Sequence, residues 1–297
     1  MKKTVTIILI SFFMLIAATI TGFTWKSKHV ANNVNIAAKD IPEYGLHLIT
    51  PSNPAYENLA TRLTHNQQNL TFDLLKPFSV FVTNDGKRTV VAYALKWELM
   101  KADGKVITLT KDNTTLWRLM GLNGPDKDGF IIKTGSTLFA TPTTIEVTQD
   151  ENIDVTNNPE VKTYLENLNV EMAQYVSITV TLDGVFFSDG TFVGPDSTGF
   201  FDRVKSTRDA KLDFLLNIKN GLQQGKSTEQ VFEQIETVAK QPEIKGGPRL
   251  TPTEHYNKAM KEETKALLRM KNIVGSSKAL NTALQSIGTQ YPELRKL

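Results

Sequence analysis

The chain has 297 residues, 40% of them hydrophobic and 22% charged, with a formal net charge of +3. Setting aside an apolar leader leaves about 270 residues, enough for one large or two modest domains with cores of their own. No cysteine is present, which excludes disulfides, thiol catalysis and Cys-based zinc sites and makes folding independent of the redox state of the compartment.

Met1–Trp25 contains Lys2 and Lys3 and then no charged side chain. A short basic start followed by Thr4–Thr24, rich in Ile, Leu and Phe, is what a translocation machinery reads as an export signal. The h-region of a cleaved signal runs ~7–15 residues and a spanning helix ~20, and this run is nearer the spanning length. Ala17-Ala18-Thr19 and Thr19-Ile20-Thr21 offer small residues but no A-x-A cleavage site, while Trp25, Lys26 and Lys28 resemble an interfacial anchor at a helix end. Gly22 and the threonines dilute the apolar run and speak for removal. The sequence therefore predicts an N-terminal hydrophobic helix over 1–25, favouring a retained transmembrane anchor over a removed signal peptide. A linker over 26–40 and an exported body follow, with the cell membrane favoured over a periplasmic or secreted location.

From about Ile41 to Asp196 the pattern is mostly strand and turn. Phe78–Asn84, Asp85-Gly86 and Thr89–Met100 read as a hairpin, because Asp-Gly reverses the chain cheaply. In the second strand Val91, Tyr93, Leu95, Trp97 and Leu99 alternate with Ala92, Ala94, Lys96 and Glu98. Asp103-Gly104 marks the next turn before Val106–Thr110. Further strands are expected at Ile131–Lys133, Leu138–Ala140, Thr144–Thr148, Tyr175–Leu182, Val185–Phe187 and Thr191–Val193, the last three separated by Asp183-Gly184 and Asp189-Gly190. Short strands at this spacing predict an antiparallel, immunoglobulin-like β-sandwich over 41–196, with Trp97 in its core. Asn53-Pro54 and Asn158-Pro159 introduce short helices at Ala55–Leu63 and Glu160–Asn167.

After Gly199 the apolar period becomes 3.6, so 197–297 is predicted to be a helical region and the fold class α+β. A first helix begins at Phe200 and ends near Gly221. Ser227 with Gln230 forms a capping box for Thr228–Lys240, and Pro242 closes that helix. Beyond a linker at Lys245–Pro248, Thr251, Pro252 and Glu254 supply N-cap, N1 and N3 residues for a helix to about Val274, with Gly275 as its C-cap. Ser277–Gly288 makes a last short helix.

Charge divides the chain in two. Lys26–Gly199 carries 15 Lys/Arg against 20 Asp/Glu, a net −5, and Phe200–Leu297 carries 17 against 11, a net +6. A basic tail suits an anionic surface or simply docks on the acidic domain. Nucleic acid is excluded as a partner, because no basic run exceeds two residues and the aromatics are not interleaved with it.

No stretch carries a recognisable chemistry. Gly194–Gly199 has the G-x-x-x-x-G spacing of a phosphate loop, but Phe200-Phe201 stand where Lys and Ser/Thr are required. A calcium ion would draw its oxygens from Asp183, Asp189 and Asp196, although their spacing matches no EF-hand loop and aspartate beside glycine ordinarily forms turns. His29, His47, His65 and His255 lie far apart in the sequence and form no zinc motif. No G-x-S-x-G elbow is present. Asp126 with Asp128 and Asp150 with Glu151 read as solvated loop carboxylates. No catalytic residue and no cofactor is predicted. Phe186, Phe187, Phe192, Phe200 and Phe201 are expected at the seam between sheet and helices.

Val90–Leu99 (VVAYALKWEL) and Leu182–Asp196 (LDGVFFSDGTFVGPD) resemble segments of a family of exported bacterial proteins with an Ig-like sandwich and no assigned function. The resemblance implies the sandwich and export, and carries no activity and no functional residue. The sequence thus predicts a noncatalytic cell-envelope module that binds a protein partner or the membrane surface. Its contact residues are expected at Phe192, Phe200 and Phe201 and at Lys258, Lys261, Lys265 and Lys271 of the tail. The alternative is an exported hydrolase whose site is not recognisable from sequence.

Overall fold

The computed structural model describes residues 34–64, 74–120, 131–142, 159–242, 250–285 and 291–297. The expected N-terminal helix, the carboxylate pairs near 126 and 150, the strand at Thr144–Thr148, the linker at Lys245–Pro248 and two histidines, His29 and His65, lie outside them. Among the described residues no helix is long and apolar enough to cross a membrane.

The fold is α+β, and residues Asn33–Leu297 make one compact unit. Strands β1 (Asn35–Lys39), β4 (Val90–Lys101), β5 (Val106–Thr114), β7 (Tyr175–Phe187), β8 (Thr191–Val193) and β9 (Arg295–Lys296) form one sheet. Its order is β5-β4-β7-β8-β9, with β1 also on β7. A second sheet has the order β2-β3-β6, from β2 (Leu46–Ile49), β3 (Val80–Asn84) and β6 (Ser136–Ala140). The inner faces share one core: Leu46, Leu48, Val80 and Val82 from the small sheet join Leu95, Trp97, Leu99, Ile178 and Val180 from the large one. Most ladders are antiparallel, but β1 runs parallel to β7 and β9 parallel to β8, unlike the wholly antiparallel arrangement expected.

Asp85-Gly86 does not close a hairpin. β3 pairs with β2 and β6, whereas β4 pairs with β5 and β7, so this turn carries the chain from one sheet to the other. Asn84 builds the crossing. Its buried side chain donates to the carbonyls of Arg88 (2.8 Å) and Ile132 (3.1 Å) and accepts from Gly86 N–H (3.2 Å). A Cβ on Gly45 would meet the Gly86 backbone, and one on Gly86 would meet the Tyr44 carbonyl oxygen, so both positions require glycine. The Asp103-Gly104 turn does join β4 to β5 as an antiparallel pair, with Gly104 at φ 81°.

Of the three register shifts between β4 and β7, two re-aim the strands beside the helices. One lies between Val90 and Ala92, so Val91 leaves the face of Tyr93 and Leu95 and packs with Ala92 and Ala94 on the opposite side. The other lies between Ala94 and Leu95, whose partners are Gly184 and Leu182. Asp183 is therefore the extra residue of a bulge within the continuous strand β7, and not the turn its Asp-Gly pair predicts.

Helix α1 (Ala55–Thr64) covers the outer face of the small sheet, with Tyr56 and Ala60 packed on Phe81. A short α2 (Leu116–Leu119) and α3 (Pro159–Met172) accompany the sheets. The tail then folds as α4 (Phe200–Gln223), α5 (Thr228–Ala239), α6 (Pro252–Val274) and α7 (Ser276–Gln285). Both predicted capping boxes are present, Ser227 with Gln230 and Thr251 with Glu254. At 24 residues, α4 is about 36 Å long and serves two cores. Phe200 and Val204 pack on the large sheet, and Leu212, Leu215 and Ile218 pack with Val231, Phe232 and Leu267.

Candidate functional site: the strand-to-helix crossing and the helical groove

The crossing between β8 and α4 is organised around Asp183. Its carboxylate is fully buried and accepts from Ser197 N–H (2.9 Å), Ser197 hydroxyl (2.6 Å), Thr198 N–H (2.9 Å) and Thr198 hydroxyl (2.6 Å). Burial pushes the pKa up, but these donors outweigh it and hold the group below the ordinary aspartate value. Asp196 N–H donates to the Asp183 carbonyl at 2.7 Å. Gly194, at φ 119°, lies where a Cβ would meet that same carbonyl at 2.8 Å, so the loop closes on the strand only with glycine there.

Each of the other two aspartates is occupied locally. Asp189 accepts from Thr191 N–H at 2.9 Å, as a turn-forming aspartate does. Asp196 accepts from Phe201 N–H at 3.0 Å and from the Lys296 ammonium at 2.8 Å, capping α4 and pairing with the C-terminus. Among the described residues no group of three His, Asp or Glu side chains has the geometry to hold a metal ion. Asp183, Asp189 and Asp196 thus each serve a different stretch of backbone.

Four of the five phenylalanines expected at the seam, Phe186, Phe192, Phe200 and Phe201, form the contact between sheet and helix, whereas Phe187 packs in the core between the two sheets. Phe192 and Phe200 are fully buried and Phe201 is half-buried. Phe186 lies 4.9 Å from Phe192 and stacks on Phe201 at 5.5 Å between ring centroids. They sit with Val91, Ala92, Leu119, Val204 and Leu294 in one apolar cluster, which places Phe192 and Phe200 inside the protein and away from any partner surface.

The tail lysines differ in what they reach. Lys271 pairs with Glu236 of α5 at 3.1 Å, with its ammonium 4.6 Å from the Phe232 ring centre. Lys261 donates to the carbonyl of Gln241, just beyond α5. Lys258 faces Glu262 one turn on at 3.9 Å, and Lys265 is half-buried on the same helix. Lys211 of α4 meets Glu263 of α6 at 2.9 Å. Part of the basic charge therefore joins the helices to one another.

A feature absent from the sequence expectations lies between α4, α5 and α6: an open groove of about 390 Å³. Phe214, Ile218, Val231 and Ile235 form its apolar floor, and Asn217, Asn220, Gln224 and Gln234 surround it with carboxamides. Lys226 is the charged residue at its edge. The only trace of it in the sequence is the recurrence of Asn and Gln on the outer side of two amphipathic helices, which any solvated face also shows. No family model, no curated protein and no solved structure matches this chain.

Proposed function

We propose that the protein is a noncatalytic binding module of the cell envelope, exported and held at the membrane by its N-terminal apolar segment, that recognises an extended segment of a protein partner. The observation that carries this reading is the groove between α4, α5 and α6. Carboxamides both donate and accept, so the four at its margin match the alternating N–H and C=O groups of a peptide backbone. The apolar floor suits one inserted side chain. An open groove lined in this way fits a chain segment better than a small molecule, whose sites enclose most of the ligand.

Location rests on Met1–Trp25, charge-free after Lys3. The Ig-like description of the body belongs to the same proposal, supported by two sheets that share one core. A photo-crosslinking residue at Gln224 of the full-length chain tests the groove in the native envelope. A single protein adduct that disappears when Gln234→Trp fills the groove is the expected result. An adduct unaffected by Gln234→Trp, or none at Gln224, rejects it.

A further inference from the structure

One end of the large sheet has the composition of a membrane-interface contact. Directly opposed residues in a sheet point to the same face, so the ladders define crosswise rows. Asn35 pairs with Ser177, Ser177 with Met100, and Met100 with Val106. The ladder shifts register beside this row, at Met100/Lys101, and Val176 stands at the shift. Met100, Val106 and Val176 are 38%, 52% and 50% exposed. The next two rows are polar apart from the small Ala37: Ala37, Thr179, Glu98 and Thr108, then Lys39, Thr181, Lys96 and Thr110.

Exposed apolar residues on this face are therefore concentrated in the row containing Asn35, the first residue of β1. That residue lies ten positions after Trp25, where the apolar N-terminal segment ends. One exposed lysine flanks the row. Lys105 is exposed, whereas Lys101 pairs with the core residue Tyr175 and turns its ammonium to that ring, 5.7 Å from its centre. The intervening carboxylate, Asp103, is tied to the backbone N–H of Lys105 at 2.9 Å.

We infer that this row, Met100, Val106 and Val176 with Lys105 beside it, rests on the outer surface of the bilayer in which the N-terminal segment is anchored. The inference rests on the anchor reading of Met1–Trp25. Ten residues reach at most about 35 Å when fully extended, so the start of β1 cannot leave the neighbourhood of the membrane. A tether of this length supplies an effective concentration in the millimolar range, at which a shallow contact by three apolar side chains and one lysine suffices. The contact sets the orientation of the module on the membrane.

The chain has no cysteine, so Val106→Cys can carry a single environment-sensitive fluorophore in the full-length protein, with Thr110→Cys as the control two rows away. The vesicles contain phosphatidylethanolamine and phosphatidylglycerol with a shallow lipid-borne quencher. Flotation of the protein, with the label at 106 quenched at least about twofold and that at 110 unaffected, is the expected result. Met100→Ser with Val176→Ser should then abolish the quenching without loss of flotation. Protein that floats with a water-exposed label at 106 rejects the contact and leaves the anchor standing. Protein that does not float rejects both. A label at 106 already buried without vesicles assigns the row to a second copy of the chain and also rejects the lipid contact.

Discussion

Thr198 is bound twice to one oxygen of Asp183, through its N–H at 2.9 Å and its hydroxyl at 2.6 Å. Ser197 repeats the arrangement on the other oxygen. A bulge in β7 thereby fixes the loop that starts α4, the helix on which both the aromatic contact and the groove depend. Removing the carboxylate leaves buried donors unpaired, at about 1–3 kcal/mol for the unsatisfied groups. Asp183→Ala is therefore expected to cost about 3 kcal/mol in urea unfolding, the upper end of that range, because its bonds are charge-assisted.

The same carboxylate makes stability depend on acid. Its folded pKa lies below the unfolded value of ~3.9, so on acidification the unfolded chain takes up the proton first and stability falls. The contribution is complete above about pH 5 and is lost as pH drops through the folded pKa. Asp189 and Asp209, also depressed, act in the same direction. Urea midpoints between pH 7 and pH 3 should fall less steeply for Asp183→Asn than for the parent, from a lower starting value.

The C-terminus is held by a second long-range device. Arg208, 8% exposed, donates to the Pro292 carbonyl at 2.8 Å and to Asp209. β9 then pairs with β8, with Leu294 buried beside Phe192. Gly190 lies so close that a Cβ would stand 2.3 Å from the Glu293 carbonyl oxygen, and its φ is 82°. Gly190→Ala and Arg208→Ala should both release Leu294–Leu297. Hydrogen exchange at Arg295 and Leu297, protected by Gly190 and Phe192 carbonyls, should rise by at least about tenfold, equivalent to about 1.4 kcal/mol.

Trp97 is fully buried, and its indole N–H has no hydrogen-bond partner among the described residues. An unpaired buried donor costs about 1–3 kcal/mol, which Trp97→Phe removes while keeping most of the packed area. That substitution should destabilise by less than about 1.5 kcal/mol, against about 3–5 kcal/mol for Trp97→Ala. Chemical unfolding of the two variants beside the parent measures the difference.

Thr251 and Ser227 cap different helices and share no partner. Thr251→Ala and Ser227→Ala should each cost about 1 kcal/mol. The double variant should equal their sum within about 0.5 kcal/mol. Thermal or urea unfolding of the three variants checks this.

What the sequence determined by itself was local. The capping boxes, the Asp103-Gly104 and Asp189-Gly190 turns and the change of period after Gly199 each depend on residues a few positions apart, and the structure contains them all. The aromatic seam was legible for four of its five expected members, Phe186, Phe192, Phe200 and Phe201 but not Phe187, since a cluster of large apolar side chains next to an amphipathic helix has to be buried. Tertiary structure alone decided which sheet β3 and β4 join, because both neighbours of each strand are chosen by packing and not by the turn between them. It likewise made Asp183 a loop anchor fourteen residues upstream of Ser197, drew β9 onto β8 from the far end of the chain, and brought the carboxamides of α4 and α5 around one groove. Asp-Gly reads the same in a turn and in a bulge, and Asn or Gln the same on a solvated face and at a binding groove. The distinction lies in partners distant along the chain, which local pattern does not encode.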